Sequence, residues 1–128
     1  MAKEFTYRGK TLEELKKMDV REFAKYLPSR ERRSVLRQFQ EIEKFTSRCQ
    51  EKIANKKQIK THDRWIVITP QLVGMAIQIH KGNGFENVKI TEDMIGHRLG
   101  EFTVTRSKVK HGAAGIGATR SSASRSMK

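Results

Sequence analysis

Four histidines, one cysteine and a cluster of arginines are the residues whose types could carry chemistry. His62, His80, His97 and His111 lie 18, 17 and 14 positions apart. Those spacings put no two of them on one helix face or in one turn, so they offer no local metal-ligand pair. They read as RNA-contacting or solvent-exposed imidazoles. Glu92 and Asp93 are adjacent, so they diverge on a helix and suit its N-terminal turn better than an acid–base dyad. The single cysteine, Cys49, forms no internal disulfide and no multi-thiolate zinc site. No Ser/His/Asp or Cys/His constellation is legible. The expectation is no enzyme, no metal and no cofactor.

The arginines are more informative. Ser29-Arg30-Glu31-Arg32-Arg33 falls at the start of a predicted helix. Cations there oppose the positive end of the helix macrodipole. A docked anion reconciles them, because free backbone N–H groups and guanidinium forks both bind phosphate. Gly112-Ala113-Ala114-Gly115 matches the G-x-x-G clamp of KH domains in letters, but that clamp needs flanking helices. Gly115-Ile116-Gly117 lacks the strand–turn–helix of a dinucleotide site. These glycines suit a backbone that approaches RNA closely.

The charge distribution explains what such residues meet. The 128-residue chain carries a formal charge of +13, with 36% hydrophobic and 32% charged residues and a mean hydropathy of -0.69. Residues 1–60 are net +8, residues 61–104 net -1 and residues 105–128 net +6. A nearly neutral centre between basic ends, with a pI near 10.2, points to a polyanion, most often nucleic acid. No run approaches the roughly 18–20 apolar residues of a membrane span. The N-terminus lacks an apolar signal region. A reducing, cytoplasmic setting follows from the cysteine usage.

Three regions must position these residues. Residues 1–60 read as a basic helical extension. Thr11 and Glu14 form a capping box ahead of Leu12, Leu15 and Met18, and Asp19 with Glu22 repeats it weakly. Pro28 interrupts, and Ser29 caps an amphipathic helix reaching about Asn55. Val35, Phe39, Ile42, Cys49 and Ile53 form its stripe, widened by Leu36 and Phe45, and that stripe packs on the protein's own body. Residues 61–104 read as a small α+β RNA-binding domain. Trp65 to Thr69 is strand-like and ended by Pro70. Met75, Ile77 and Ile79 alternate into a turn at residues 81–84, and Val88 and Ile90 return. Thr91 caps a brief helix through Ile95. The apolar set is thin for independent stability, so the N-terminal helices or a partner must complete it. Residues 105–128 form a flexible, basic, Gly/Ser/Ala-rich tail that cannot bury enough surface to order itself alone.

The run Met94-Ile95-Gly96-His97-Arg98-Leu99-Gly100-Glu101-Phe102, with Thr105-Arg106 after it, resembles the signature of the small-subunit ribosomal protein family nineteen. Pro70-Gln71-Leu72-Val73-Gly74 and His80-Lys81-Gly82 match the same pattern. Tyr7 to Leu15, Leu27-Pro28-Ser29-Arg30, Arg32-Arg33-Ser34, Val109-Lys110-His111-Gly112 and Gly115 to Ser122 are similar to its archaeal and eukaryotic branch. The resemblance implies an α+β domain with a three-stranded sheet, in the head of the small ribosomal subunit. It implies binding to small-subunit ribosomal RNA, the small-subunit protein family thirteen as a neighbour, and a tail reaching toward the decoding region and transfer RNA. No membrane and no homo-oligomer is expected. By matched motif, Arg64, His97, Arg98, Arg106, Lys108, Lys110, His111 and Arg120 are implied RNA contacts, with Arg30, Arg32 and Arg33 as the branch's basic motif. Ala113-Ala114 replaces the branch's usual proline before Gly115, the chain's last six residues lack its apolar ending, and the helix from Gln38 to Asn55 differs. The alternative is a free-standing regulator that lays the Arg30–Arg37 helix in a nucleic-acid groove.

Overall fold

The computed structural model describes residues 4–110, 112, 114, 115 and 117–125. A short hairpin opens the chain, with β1 at Thr6–Tyr7 and β2 at Lys10–Thr11. Arg8 and Gly9 both take positive φ, 48° and 81°, the two-residue turn whose twist matches its strands. This hairpin lies where the sequence suggested only helix. The Thr11–Glu14 capping box is present and starts α1, Leu12–Lys17. Asp19 precedes α2, Val20–Ala24, without a side-chain cap.

The chain breaks before Pro28, as expected, but Ser29 is the first residue of α3, Ser29–Arg37, rather than its cap. The single long helix is two. Gln38, at φ -124° and ψ 26°, separates α3 from α4, Phe39–Ala54. The bend explains the apolar stripe. Val35, Ile42, Phe45, Thr46 and Cys49 are buried, while Leu36 and Ile53 are each 47% exposed. A straight helix from Ser29 to Ala54 could not keep both halves against one curved core.

The α4 helix ends in a Schellman motif. Lys57 N–H donates to the Lys52 carbonyl and Lys56 N–H to that of Ile53. Lys56 sits at φ 53°, where glycine is usual. The chain then enters β3, Ile59–Thr61. β3 spans the junction drawn at residues 60 and 61. It pairs in parallel with β4, Ala76–His80, which pairs antiparallel with β5, Phe85–Lys89. The sheet order is therefore β3-β4-β5.

Trp65 to Thr69 is not a sheet strand. It is extended and buried from Ile66 to Thr69. Its partner is the 96–100 segment: Ile68 N–H donates to the His97 carbonyl and Leu99 N–H to that of Ile66. One antiparallel bridge, Val67 to Arg98, joins the two. Brief 3₁₀ turns occupy Pro70–Leu72, Glu92–Met94 and Leu99–Phe102.

One hydrophobic core unites these elements. The helices contribute Leu15, Phe23, Val35 and Ile42; the sheet region adds Ile66, Ile68, Ile77, Ile79 and Leu99. The thin apolar set of residues 61–104 is thus completed by the N-terminal helices. Gly96, at φ 85°, lies where the helical segment and the later turn meet. A Cβ there would come 2.8 Å from Tyr7 Oη. Among the described residues, no helix is long and apolar enough to cross a membrane.

Candidate nucleic-acid interface

The α3 helix and the 94–102 turn are remote in sequence and adjacent in space. Arg98 Nη2 donates to Ser34 Oγ at 3.0 Å, and Ser34 Oγ donates to the Arg30 carbonyl at 3.2 Å. This small network sets Arg98 beside the α3 arginines. Arg30 and Arg33 are exposed. A shallow groove on α3 is lined by Ser29, Arg32, Arg33, Leu36 and Arg37. Next to Arg98, His97 Nδ1 bonds Glu101 Oε2 at 2.8 Å. Glu101 also accepts from the Arg98 N–H. The carboxylate orients the imidazole through Nδ1.

Two of the expected contacts have another task. Arg32 donates from Nε to the Ala24 carbonyl at 3.1 Å, and from Nη2 to those of Lys25 and Leu27 at 3.0 and 3.1 Å. It gathers the carbonyls at and just beyond the end of α2, of which that of Ala24 also accepts from the Leu27 N–H. Arg64 donates to the carbonyls of His80, Gly100 and Thr103 at 2.7, 2.7 and 2.6 Å. It ties the end of β4 to the start of the tail. Gly100 packs against it, since a Cβ there would lie 2.9 Å from the Arg64 Cβ and 3.0 Å from its carbonyl oxygen. Both guanidiniums therefore hold main chain; Arg64 is half-buried, whereas Arg32 is exposed and also lines the α3 groove. The matched motif names the residue but cannot tell whether its guanidinium faces phosphate or peptide.

Thr103, 2% exposed, is the last anchored residue before the tail. Arg106, Lys108 and Lys110 follow, exposed and without helix or strand. His111 lies outside the described residues. Arg120 is exposed within a series of turns at residues 117–125. There Gly117 N–H donates to Ser122 Oγ at 2.9 Å.

The cations have few internal partners. Among the described residues, Lys10 to Glu14, at 3.8 Å, is the one ion pair between a lysine or arginine and a carboxylate. Arg21 lies 3.8 Å from the centroid of the Phe39 ring. Apart from Arg32, Arg64 and Arg98, which bond main chain or Ser34, most of the described lysines and arginines are exposed. Cys49 is buried, and desolvation pushes its thiol up to about 11, against the lowering pull of Lys52 and Arg48. It packs as a small hydrophobe.

The structure also joins side chains that spacing kept apart. His62 and His80 stack with ring centroids 4.3 Å apart, and Phe85 meets both edge-on. Sequence reading missed this because it left β3 unrecognised. The alternation of Ile59 and Thr61 with Lys60 and His62 is too short to declare a strand by itself.

The described residues form a basic α+β body with many exposed cations and an exposed stretch after Thr103, a surface suited to a polyanion. Comparisons with known proteins place the chain in a family. The family model for ribosomal protein S19 matches residues 21–111. A Halorubrum lacusprofundi protein named small ribosomal subunit protein uS19 is 50% identical over 125 residues, covering 94% of this chain and 88% of its own length. Proteins of the same name from Methanocella arvoryzae and Picrophilus torridus are 47% and 48% identical, covering 93% and 94% of this chain and 84% and 79% of their own. The chain belongs to the ribosomal protein S19 family, and its role is structural rather than enzymatic.

Proposed function

We propose that this chain is a structural constituent of the head of the small ribosomal subunit, in the cytoplasm, holding ribosomal RNA through its basic surfaces. The observation that carries this is the near absence of ion pairing among the described residues of a chain of net charge +13. Unpaired cations at this density repel one another, and phosphate relieves that repulsion while releasing condensed counterions. Arg30, Arg33, His97 and Arg98 form one contact surface. Arg106, Lys108, Lys110, His111 and Arg120 form a second along the tail, which reaches toward the decoding region and transfer RNA. The body of residues 4–104 keeps its shape, and the tail from residue 105 follows the RNA. Phosphate contacts position the protein, and RNA shape supplies most of the specificity. The neighbouring protein is of small-subunit family thirteen.

Sedimentation of cell lysate on a sucrose gradient tests this reading. Co-migration with the small subunit that withstands a high-salt wash, and disappears after extensive ribonuclease digestion, is the expected outcome. Migration at the top of the gradient under every condition would instead favour the free-standing regulator.

A further inference from the structure

The three-stranded sheet has one face in the core and one without cover among the described residues. Ile59, Thr61, Ile77 and Ile79 point inward and are buried. Side chains alternate along a strand, so the residues between them share the outer face. The register aligns them in rows. Lys60 is paired with Gln78, which is paired with Asn87 on β5. In the next row His80 is paired with Phe85, and His62, one position beyond β3, stacks on His80. At the other end Ala76 is paired with Lys89.

This face has the composition of a base-binding surface. Its aromatic row is compact: the Phe85 ring lies 5.2 Å from His62 and 5.1 Å from His80, nearly perpendicular to both. Phe85 is nevertheless 38% exposed. Lys60 Nζ stands 5.6 Å from the Phe85 centroid. Amides occupy the middle row, where Gln78 Nε2 donates to Gln58 Oε1 at 3.4 Å. The far end opens into a groove of about 400 Å³ whose lining includes Lys56, Lys57, Gln58 and Asn87. No carboxylate lies in these rows. Glu86 alternates to the opposite side of β5 from Phe85, and the Asp63 carboxylate, beside His62 at the margin of the face, accepts from Thr61 Oγ1 at 3.5 Å.

We infer that this open sheet face is a stacking platform for an unpaired stretch of RNA. One base lies against the His62–His80–Phe85 row, and its backbone phosphates run toward Lys60, Lys89 and the Lys56–Lys57 corner. This deepens, and rests on, the RNA-binding reading given above. An unpaired strand is favoured over a duplex because rings stack only on bases whose faces are free. A basic partner protein is disfavoured by the lysines, and an acidic one offers the rings nothing to stack on.

The test uses the full chain, a labelled short oligouridylate, and the blunt duplex that oligouridylate forms with oligoadenylate. Binding is read by fluorescence anisotropy across a salt series, and ring signals by NMR. The single strand should shift the His62, His80 and Phe85 ring resonances and bind more tightly than the duplex. Phe85→Ala and His62→Ala should each weaken single-strand binding by roughly 5- to 100-fold, with the salt slope unchanged. His62→Phe should restore most of the loss. Lys60→Ala and Lys89→Ala should instead each lower the slope of log affinity against log salt by about 0.7. Thermal melts confirm that each variant folds. If Phe85→Ala does not fold, the His62 pair carries the test. Unmoved ring signals, or ring variants that bind like the parent, would overturn the platform. In that case steep salt-dependent binding of the parent to small-subunit RNA would leave the broader reading standing. A parent that binds no RNA would end both.

Discussion

Arg64 shows how a residue's type can be right for one role and used for another. As a cation in a matched motif it reads as a phosphate contact, yet its guanidinium holds three carbonyls from two segments. Hydrogen bonds from a charged group contribute about 1.5–3 kcal/mol each, and these three are part-buried, so water replaces some of what is lost. Arg64→Ala should therefore destabilise the fold by about 3 kcal/mol in urea unfolding. Arg64→Lys should recover only part, since an ammonium cannot reproduce the fork. Unchanged stability with a shallower salt slope for RNA binding would return Arg64 to the contact set. Cys49 makes a pH prediction. Burial raises its folded pKa to about 11, above its ordinary value of 9.0. Between those values the native state holds more protons than the unfolded state, so stability falls as pH rises. The contribution is whole below about pH 9 and lost progressively toward pH 11, at most about 2–3 kcal/mol. Comparing the parent with Cys49→Ala across that range isolates it: the alanine variant should lose less stability over the same interval.

At the scale of elements, the α4–β3 corner combines local strain with exposed charge. Lys56 takes φ 53° in a Schellman turn, a conformation that costs a side-chain-bearing residue about 1 kcal/mol. Lys56→Gly should therefore raise stability by about 0.5–1 kcal/mol in thermal or urea unfolding, while weakening RNA binding by removing one cation. A lysine in a glycine-like conformation stores strain at a corner that also carries exposed charge. The capping box of α1, the break before Pro28 and the β4–β5 hairpin were all legible in sequence, because each depends on side chains within a few positions of one another. The bend at Gln38 and strand β3 were not. Gln38 carries no breaker residue, and its bend follows the shape of the core. β3 has three residues, too few for periodicity to declare, and its strand identity comes from parallel pairing with β4, some eighteen positions away.

The whole molecule divides its work between a packed body and a basic tail. The core joins the helices to the sheet, while residues 104–110 are exposed throughout. Deleting residues 107–128 should leave the thermal midpoint within about 2 °C of the parent, because the lost segment adds little to the core. The same deletion should flatten the salt dependence of RNA binding, since it removes Lys108, Lys110, Arg120, Arg125 and Lys128. A large drop in midpoint would show the tail to be part of the folded body. Sequence alone determined the charge distribution, the helix starts, the hairpin and the family resemblance, since all of these reside in composition and short spacings. Tertiary structure decided which cations are free and which are bound to main chain. It also decided that Arg98 sits beside α3, and that His62, His80 and Phe85 form one row. The reason is physical: a side chain's type is local, but its partner is set by the packing of segments that meet only once the core has closed.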